Sequence, residues 1–164
     1  MPPLDAFLTT IGPLTWDDLV AGYDFGLLSS LEIQSQAFGE GLAIQRLRAL
    51  EGSALLTFEA HLWAACAEAQ GVTPRPGSVR WAESQDRWRE ALLRDALALD
   101  STSAQLAQAV ERLYEQVGCP EDMLAMLQPA QAWSGTPATV DPRAVKAFLD
   151  RAQSQRSRHF GSAS

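Results

Sequence analysis

The chain has little of the chemistry that catalysis and metal binding usually require. Only two cysteines, Cys66 and Cys119, and two histidines, His61 and His159, occur among its 164 residues. Two thiols are too few for a disulfide framework and too few for a four-thiolate metal site. The sequence also contains no glycine-rich phosphate loop, GxSxG elbow, HExxH motif or CxxC motif. These absences predict no metal site and no cofactor, and they lean against an enzyme.

Long apolar runs are also missing. The longest, Leu62 to Ala67, has six residues, whereas a membrane-spanning helix needs about 20. The first ten residues carry Asp5 and no basic residue, unlike a secretory signal. The sequence therefore predicts a cytoplasmic protein that does not bind a membrane.

Positive charge is scarce, because 13 Lys and Arg stand against 20 Asp and Glu and give a formal net charge of −7. A surface of this sign is unfavourable for binding the phosphates of nucleic acid. Five acidic residues are concentrated in the first quarter of the chain: Asp17, Asp18, Asp24, Glu32 and Glu40. Because such charge steers oppositely charged macromolecules, the sequence predicts a basic protein partner and no nucleic acid.

Helix-forming residues dominate, with 26 Ala and 22 Leu, and no stretch alternates apolar with polar residues as a strand would. Two capping boxes, Thr15 with Asp18 and Ser29 with Glu32, predict the starts of two consecutive helices, and Gly26 predicts the end of the first. We predict a single all-α domain over residues 1–154, a bundle of about seven or eight stacked helices. Residues 155–164 are predicted to be a disordered tail.

Two later segments are predicted to form the centre of the bundle. Leu55–Gln70 is apolar around much of its circumference and is expected to be the most buried helix. Val79–Leu99 has Ser78 in position to cap it and a repeating apolar stripe. On its polar side, Glu83 with Arg87 and Glu90 with Arg94 have the i,i+4 spacing of ion pairs.

The candidate binding residues are acidic or aromatic. Four acidic residues of the first two helices lie outside the apolar stripes and are predicted to steer a basic partner: Asp17, Asp24, Glu32 and Glu40. Phe38 is expected on the inner face of the second helix. Trp133 lies in the irregular stretch Gln128–Asp141 and is the other binding candidate, although a loop tryptophan more often fills a gap in the core.

Two other functions stay open. His61 and Glu68, seven residues apart on one helix near Trp63, would be the centre of a small-molecule site or an enzyme cleft. A single histidine on an apolar helix is more often structural than catalytic. The other function is a homo-oligomeric structural module, because five tryptophans and a 46% hydrophobic composition favour an exposed apolar patch.

Two stretches, Leu14–Ala37 and Val110–Pro129, resemble the opening and closing signatures of a family of small uncharacterised bacterial proteins, a domain of unknown function. They read LTWDDLVAGYDFGLLSSLEIQSQA and VERLYEQVGCPEDMLAMLQP. The similarity depends on Trp16, Leu19, Gly22, Gly26, Leu28, Ile33 and Ala37 in the first stretch and on Tyr114, Pro120, Glu121 and Met123 in the second. That family is similar in size and helical content to immunity proteins, which neutralise bacterial toxins. The resemblance implies a helical protein of the bacterial cytosol and supplies no catalytic residues to transfer. With the acidic charge, the small size and the absence of a catalytic set, the leading expectation is a protein-binding domain of immunity type, an inhibitor of a bacterial toxin.

Overall fold

The computed structural model describes residues 1–99, 103–127 and 139–161, with the side chains of all of these except Ser103 and residues 155–161. Within these ranges the chain is all-α, has no strand and contains eight α-helices of seven residues or more. The predicted all-α fold is therefore confirmed. No helix in the ranges searched combines the length and the apolar character needed to cross a bilayer.

The α-helices are α1 (Pro3–Thr10), α2 (Trp16–Asp24), α3 (Ser30–Gln36), α4 (Leu42–Arg48), α5 (Phe58–Gln70), α6 (Val79–Ala98), α7 (Ser103–Gln116) and α8 (Pro142–Gly161). Two 3₁₀ helices, Gly52–Thr57 and Glu121–Met126, precede α5 and follow α7. The chain divides into two compact units, residues 1–88 and 89–164. The single domain predicted over residues 1–154 stays a prediction, because α6 is continuous across this division. So does the disordered tail, since α8 extends to Gly161 but the side chains of residues 155–164 lie outside the described part.

Local signals set both ends of α2. Asp18 N donates to Thr15 Oγ1 (3.2 Å) and Thr15 N donates to Asp18 Oδ2 (2.7 Å), which confirms the first capping box. Ser29 and Glu32 form the same reciprocal pair at the start of α3. Gly26 has φ +66°, and the Leu27 amide donates back to the Gly22 carbonyl at 2.8 Å, so the predicted glycine stop is confirmed.

The core of residues 1–88 is built around α2, α5 and the first half of α6. Trp88 is fully buried, contacts the Phe7 ring at 4.4 Å between centroids, and donates from Nε1 to the Asp18 carbonyl at 3.0 Å. Gly22 permits this packing, because a Cβ there would lie 2.7 Å from Cζ2 of Trp88. α5 packs against both α2 and α4. The first unit thus has an aromatic core of its own.

Residues 89–164 bury one face of α7, formed by Leu106, Val110 and Leu113, and Val117 directly after the helix continues this buried row. Met123 and Met126 from the second 3₁₀ helix are also buried, and that helix contacts α8. Arg94 and Glu90 form the predicted i,i+4 ion pair at 3.0 Å. Helical periodicity therefore places the apolar residues of α7 correctly, whereas at the end of α6 Leu93 is buried in place of the predicted Leu92 and Leu99 is exposed.

The structure corrects three local predictions. The sequence signals did not identify α1, which begins after Pro2 and buries Phe7. The helix expected from Leu55 begins at Phe58, and the expectation that it is the most buried helix is wrong: α5 buries four of 13 residues, whereas α2 buries six of nine. Much of the outer side of α5 is alanine, which favours a helix whether or not it is buried. Phe38 is exposed rather than inward, because α3 ends at Gln36.

Candidate functional site

Residues 1–88 contain an open cleft of about 950 Å³. Its walls come from residues 13–17 at the start of α2, residues 38–41 between α3 and α4, residues 68–70 at the end of α5, and one face of α6. The charged side chains on these walls are Asp17, Glu40, Arg80, Glu68, Glu83 and Arg87. The cleft therefore has four carboxylates and two guanidiniums.

Both guanidiniums of the cleft already have partners. Arg80 donates from Nε (2.8 Å) and Nη2 (2.7 Å) to the two carboxylate oxygens of Asp17, and from Nη1 to the Val72 carbonyl. The hydrogen bond with Asp17 is the main reason that the pKa of Arg80 is raised. Arg87 pairs with Asp18 Oδ2 at 3.2 Å and donates from Nη2 to the Pro13 carbonyl. An incoming anion would have to displace these bonds.

Arg87 does not form the ion pair with Glu83 that helical spacing predicted. The reason is the burial of Asp18, whose side chain has no solvent exposure. Leaving a buried carboxylate without a cation costs much more free energy than leaving an exposed one unpaired. Pairing with Arg87 therefore stabilises Asp18 more than it would stabilise Glu83. Glu83 consequently stays exposed on the wall of the cleft.

The carboxylates of the cleft differ in what they contact. Glu68 accepts hydrogen bonds from the amides of Ala43 (2.9 Å) and Ile44 (3.2 Å), so it caps the start of α4. Gly41 leaves the space for this contact, because a Cβ there would overlap the Glu68 carboxylate. Glu40 and Glu83 are exposed, and neither carboxylate forms an ion pair or hydrogen bond within the described part of the chain. Within the described residues both are therefore unpaired negative charges, although the charge of Glu83 already contributes to the raised pKa of Arg80.

The apolar wall of the cleft contains two aromatic rings. Phe38 is 47% exposed, and its ring centroid lies 5.4 Å from that of Trp16. Trp16 is buried, and its Nε1 has no acceptor among the described residues. Arg48 holds the backbone on both sides of Phe38 by donating to the carbonyls of Ala37 and Gly39. The cleft thus has a fixed backbone beneath an exposed phenyl ring.

Two of the four acidic residues predicted to steer a partner lie in the cleft. Asp17 is there but is paired with Arg80, and Glu40 is there and available. Glu32 is part of the capping box of α3. Asp24 is exposed at the end of α2. Loss of part of its hydration, together with the negative charge of Glu59, raises its pKa. The four therefore do not form one group at the cleft, and Trp133 lies outside the described residues.

The cleft does not bring His61 and Glu68 together as a reactive pair. Glu68 is on its wall, whereas His61 is not among the lining residues and lies about 10 Å away along α5. Among the residues searched, no group of three or more His, Cys, Asp or Glu side chains could hold a metal ion. Cys66 is buried, and burial with the nearby charge of Asp17 raises its pKa to about 11.

No protein-family model, curated protein or solved structure matches this chain. The similarity of Leu14–Ala37 and Val110–Pro129 to a family of small bacterial proteins therefore stays a prediction. The interpretation of the cleft depends on its own residues.

Proposed function

We propose that this chain is a non-catalytic protein-binding domain that recognises a basic partner through the cleft of residues 1–88. The observation that carries the proposal is the imbalance of charge in the cleft. Arg80 and Arg87 are occupied by Asp17 and Asp18, whereas Glu40 and Glu83 are exposed without an ion pair in the described part of the chain. A cleft with spare negative charge and no spare positive charge favours a cationic group.

The charge of the surrounding unit supports this proposal. Residues 1–88 contain eleven Asp and Glu against five Arg, a net charge of −6 out of the −7 of the whole chain. A field of this sign increases the association rate of a basic macromolecule, most strongly at low ionic strength. Phe38 adds an exposed aromatic ring beside the charges, and aromatic side chains often contribute a large share of binding energy.

The specific form of the proposal is an immunity-type inhibitor of a bacterial toxin. The small size of the chain, its acidic charge and the resemblance of its two signature stretches to small bacterial helical proteins support this form. In such a complex the inhibitor needs no chemistry of its own. It acts by covering the basic surface of the partner.

The other two functions have weaker support. Glu68 is already bonded to the amides of α4 and His61 lies outside the cleft, so no observation favours an enzyme or small-molecule site built on that pair. Exposed large apolar residues of residues 1–88 occur on separate elements, as Leu31, Leu56 and Val79 do. A homo-oligomer would show itself as a doubled or larger mass in size-exclusion chromatography with light scattering.

The proposal is tested by purifying the tagged protein from its own host and comparing two double variants. Glu40→Gln/Glu83→Gln removes the available charges of the cleft, and Asp5→Asn/Glu51→Gln removes the same charge from exposed positions that do not line it. A basic protein that co-purifies with the wild type and the control should be depleted with the cleft variant. With the purified pair, the association rate should fall about tenfold for the cleft variant and should decrease with salt. A rate that responds to neither change would contradict the proposal.

Co-expression tests the toxin inhibitor directly. When it is expressed alone in a host that contains neither protein, the partner should arrest growth. Co-expression of the wild-type chain should restore growth. The cleft variant should restore growth less well than the control variant at equal protein levels. A partner that is harmless alone would remove the inhibitor interpretation while leaving the protein-binding one.

A further inference from the structure

An arrangement of arginine, carboxylate and phenylalanine ring occurs within residues 1–88. The guanidinium of Arg87 pairs with Asp18 at 3.2 Å, and its central carbon lies 5.3 Å from the centre of the Phe7 ring. One side of the planar cation meets negative charge and another meets a π face. Both contacts are favourable for a guanidinium, which is only weakly hydrated.

The same arrangement occurs within residues 89–164. Arg89 pairs with Asp122 at 2.6 Å, and its central carbon lies 5.3 Å from the centre of the Phe148 ring. Both arginines lie on α6, two residues apart, but their partners come from different elements: α1 and α2 for Arg87, the second 3₁₀ helix and α8 for Arg89. This fold therefore holds arginine in one recurring way.

The cleft contains the same components without the arginine. Phe38 presents a half-exposed ring, and Glu40 follows it two residues later along the chain. Glu83, on α6, lines the same cleft. In the described part of the chain, no cation is placed over the Phe38 ring, and no ion pair reaches either carboxylate. Arg48, ten residues after Phe38, is bonded to the carbonyls of Ala37 and Gly39.

The wall beside Phe38 also contains an N–H donor, the indole of Trp16, that has no acceptor among the described residues. Trp16 lines the cleft and is buried. Buried polar groups in folded proteins nearly always have a partner. A peptide that contains arginine would bring a guanidinium for the carboxylates, and its carbonyl oxygens would reach the buried Trp16 Nε1 only after the wall of the cleft adjusts.

We propose that the cleft binds an arginine side chain of an extended segment of the partner protein, with the guanidinium over Phe38 and paired with Glu40 and Glu83. This inference rests on the proposed function and adds the chemistry that is recognised. Lysine fits less well, because its ammonium is a strongly hydrated point charge that cannot stack flat on the face of a ring as a guanidinium does.

The test uses the full-length protein labelled with ¹⁵N and three blocked pentapeptides, Gly-Gly-X-Gly-Gly, in which X is arginine, lysine or citrulline. The arginine peptide should give saturable shifts of the amides of residues 38–41 and of the Trp16 indole N–H. The lysine peptide should bind about threefold more weakly, and citrulline, which has the same shape without the charge, about tenfold more weakly.

Single variants assign the contacts. Glu40→Gln should weaken the arginine peptide about fivefold and Phe38→Leu about threefold, whereas Glu51→Gln should leave its affinity unchanged. Equal affinity for arginine and lysine, shifts outside the cleft, an unmoved Trp16 indole signal, or indifference to Phe38→Leu would each overturn the inference. Thermal unfolding of each variant identifies one that fails to fold, and Phe38→Tyr, which keeps the ring, should then retain binding.

The two proposals fail in different ways. If the intact partner binds independently of Glu40 and Glu83, the proposed function is wrong. If partner binding depends on these carboxylates but replacing each arginine of the partner's binding segment by lysine leaves the affinity unchanged, only the arginine inference is wrong.

Discussion

The arginine pairs of the two units differ in which member is buried. In residues 1–88 the Asp18 side chain is 0% exposed and its partner Arg87 is 26% exposed. In residues 89–164 the burial is reversed, since the Arg89 side chain is 8% exposed and Asp122 is 56% exposed. In each pair, therefore, the exposed member is the one whose loss leaves a buried charge behind. The cost of losing one member depends on whether the charge that remains can reach water.

The two units also differ in charge. Residues 1–88 have a net charge of −6, and residues 89–164, with nine Asp and Glu against eight Lys and Arg, have −1. In the first unit there are too few arginines to pair with all the carboxylates, so some acidic side chains have no ion partner. Glu40 and Glu83 are two of these in the described part of the chain, and both line the cleft. The acidic excess of one unit is thus the physical origin of its proposed binding property.

Each unit contains one cysteine, and the difference between the labelling rates of the two thiols is the largest effect that we predict. Cys66 is buried and its pKa is raised to about 11, whereas Cys119 is exposed. At pH 8 only about one Cys66 thiol in a thousand would be ionised, and burial slows attack further. We expect Cys119 to react with a disulfide reagent at least about 1,000-fold faster than Cys66.

The rates can be measured by stopped-flow absorbance with mass spectrometry to identify the labelled residue. The Cys119→Ser variant should leave only the slow reaction, and Cys66→Ser only the fast one. Reaction of both thiols at one rate under native conditions would contradict this prediction, because the buried Cys66 thiol would then be as accessible to the reagent as the exposed Cys119 thiol.

Removing the exposed member of each ion pair tests the comparison of burial. Arg87→Met should lower the free energy of unfolding by about 3 kcal/mol, because it leaves the Asp18 carboxylate buried without a cation. Asp122→Asn leaves the largely buried Arg89 guanidinium without its carboxylate, so it should also be costly, by about 2 kcal/mol, a smaller loss because asparagine keeps an acceptor oxygen.

Urea denaturation followed by circular dichroism measures both changes. Arg75→Met is the matched control for loss of an exposed guanidinium and should change stability by less than about 0.5 kcal/mol. A loss no larger than that of Arg75→Met in either variant would mean that burial of the remaining partner does not set the cost.

Much of the fold could be predicted from the sequence because its signals are local. The Thr15 and Ser29 capping boxes and the Gly26 stop involve residues three to five positions apart, and the structure has all three. The helix α1 was missed because it has no capping signal, since Pro2 at its start makes no side-chain hydrogen bond, and because Phe7 packs against Trp88, which is 81 positions later.

The cleft could be predicted only in part. Two of its acidic residues, Asp17 and Glu40, were candidates because helical spacing leaves them outside the apolar stripes. Glu83 was assigned to Arg87 by spacing alone, but Arg87 is drawn to Asp18, which is 69 positions earlier and fully buried. Local rules cannot detect such competition, because the burial of Asp18 is known only once α2 and α6 are packed together.

The smallest effect concerns the acidic excess of residues 1–88. Partial burial and the charge of Glu59 raise the pKa of Asp24, so the folded state holds its proton more tightly than the unfolded state does. The wild type therefore loses a little stability as the pH rises from about 3.8 through the higher folded-state pKa. Asp24→Asn removes this loss and should increase stability at pH 7 by about 0.3 kcal/mol, a small value because the side chain is exposed.

The gain from Asp24→Asn should shrink as the pH falls through about 3.8, because the wild-type carboxyl becomes protonated in both states. It should also shrink in a Glu59→Gln background, since that change removes the neighbouring negative charge. Chemical denaturation of the four proteins at pH 3.5 and pH 7 measures both dependences. A stability change that is the same at the two pH values would arise from the amide itself, and Asp24 would then add nothing to the electrostatic difference between the two units.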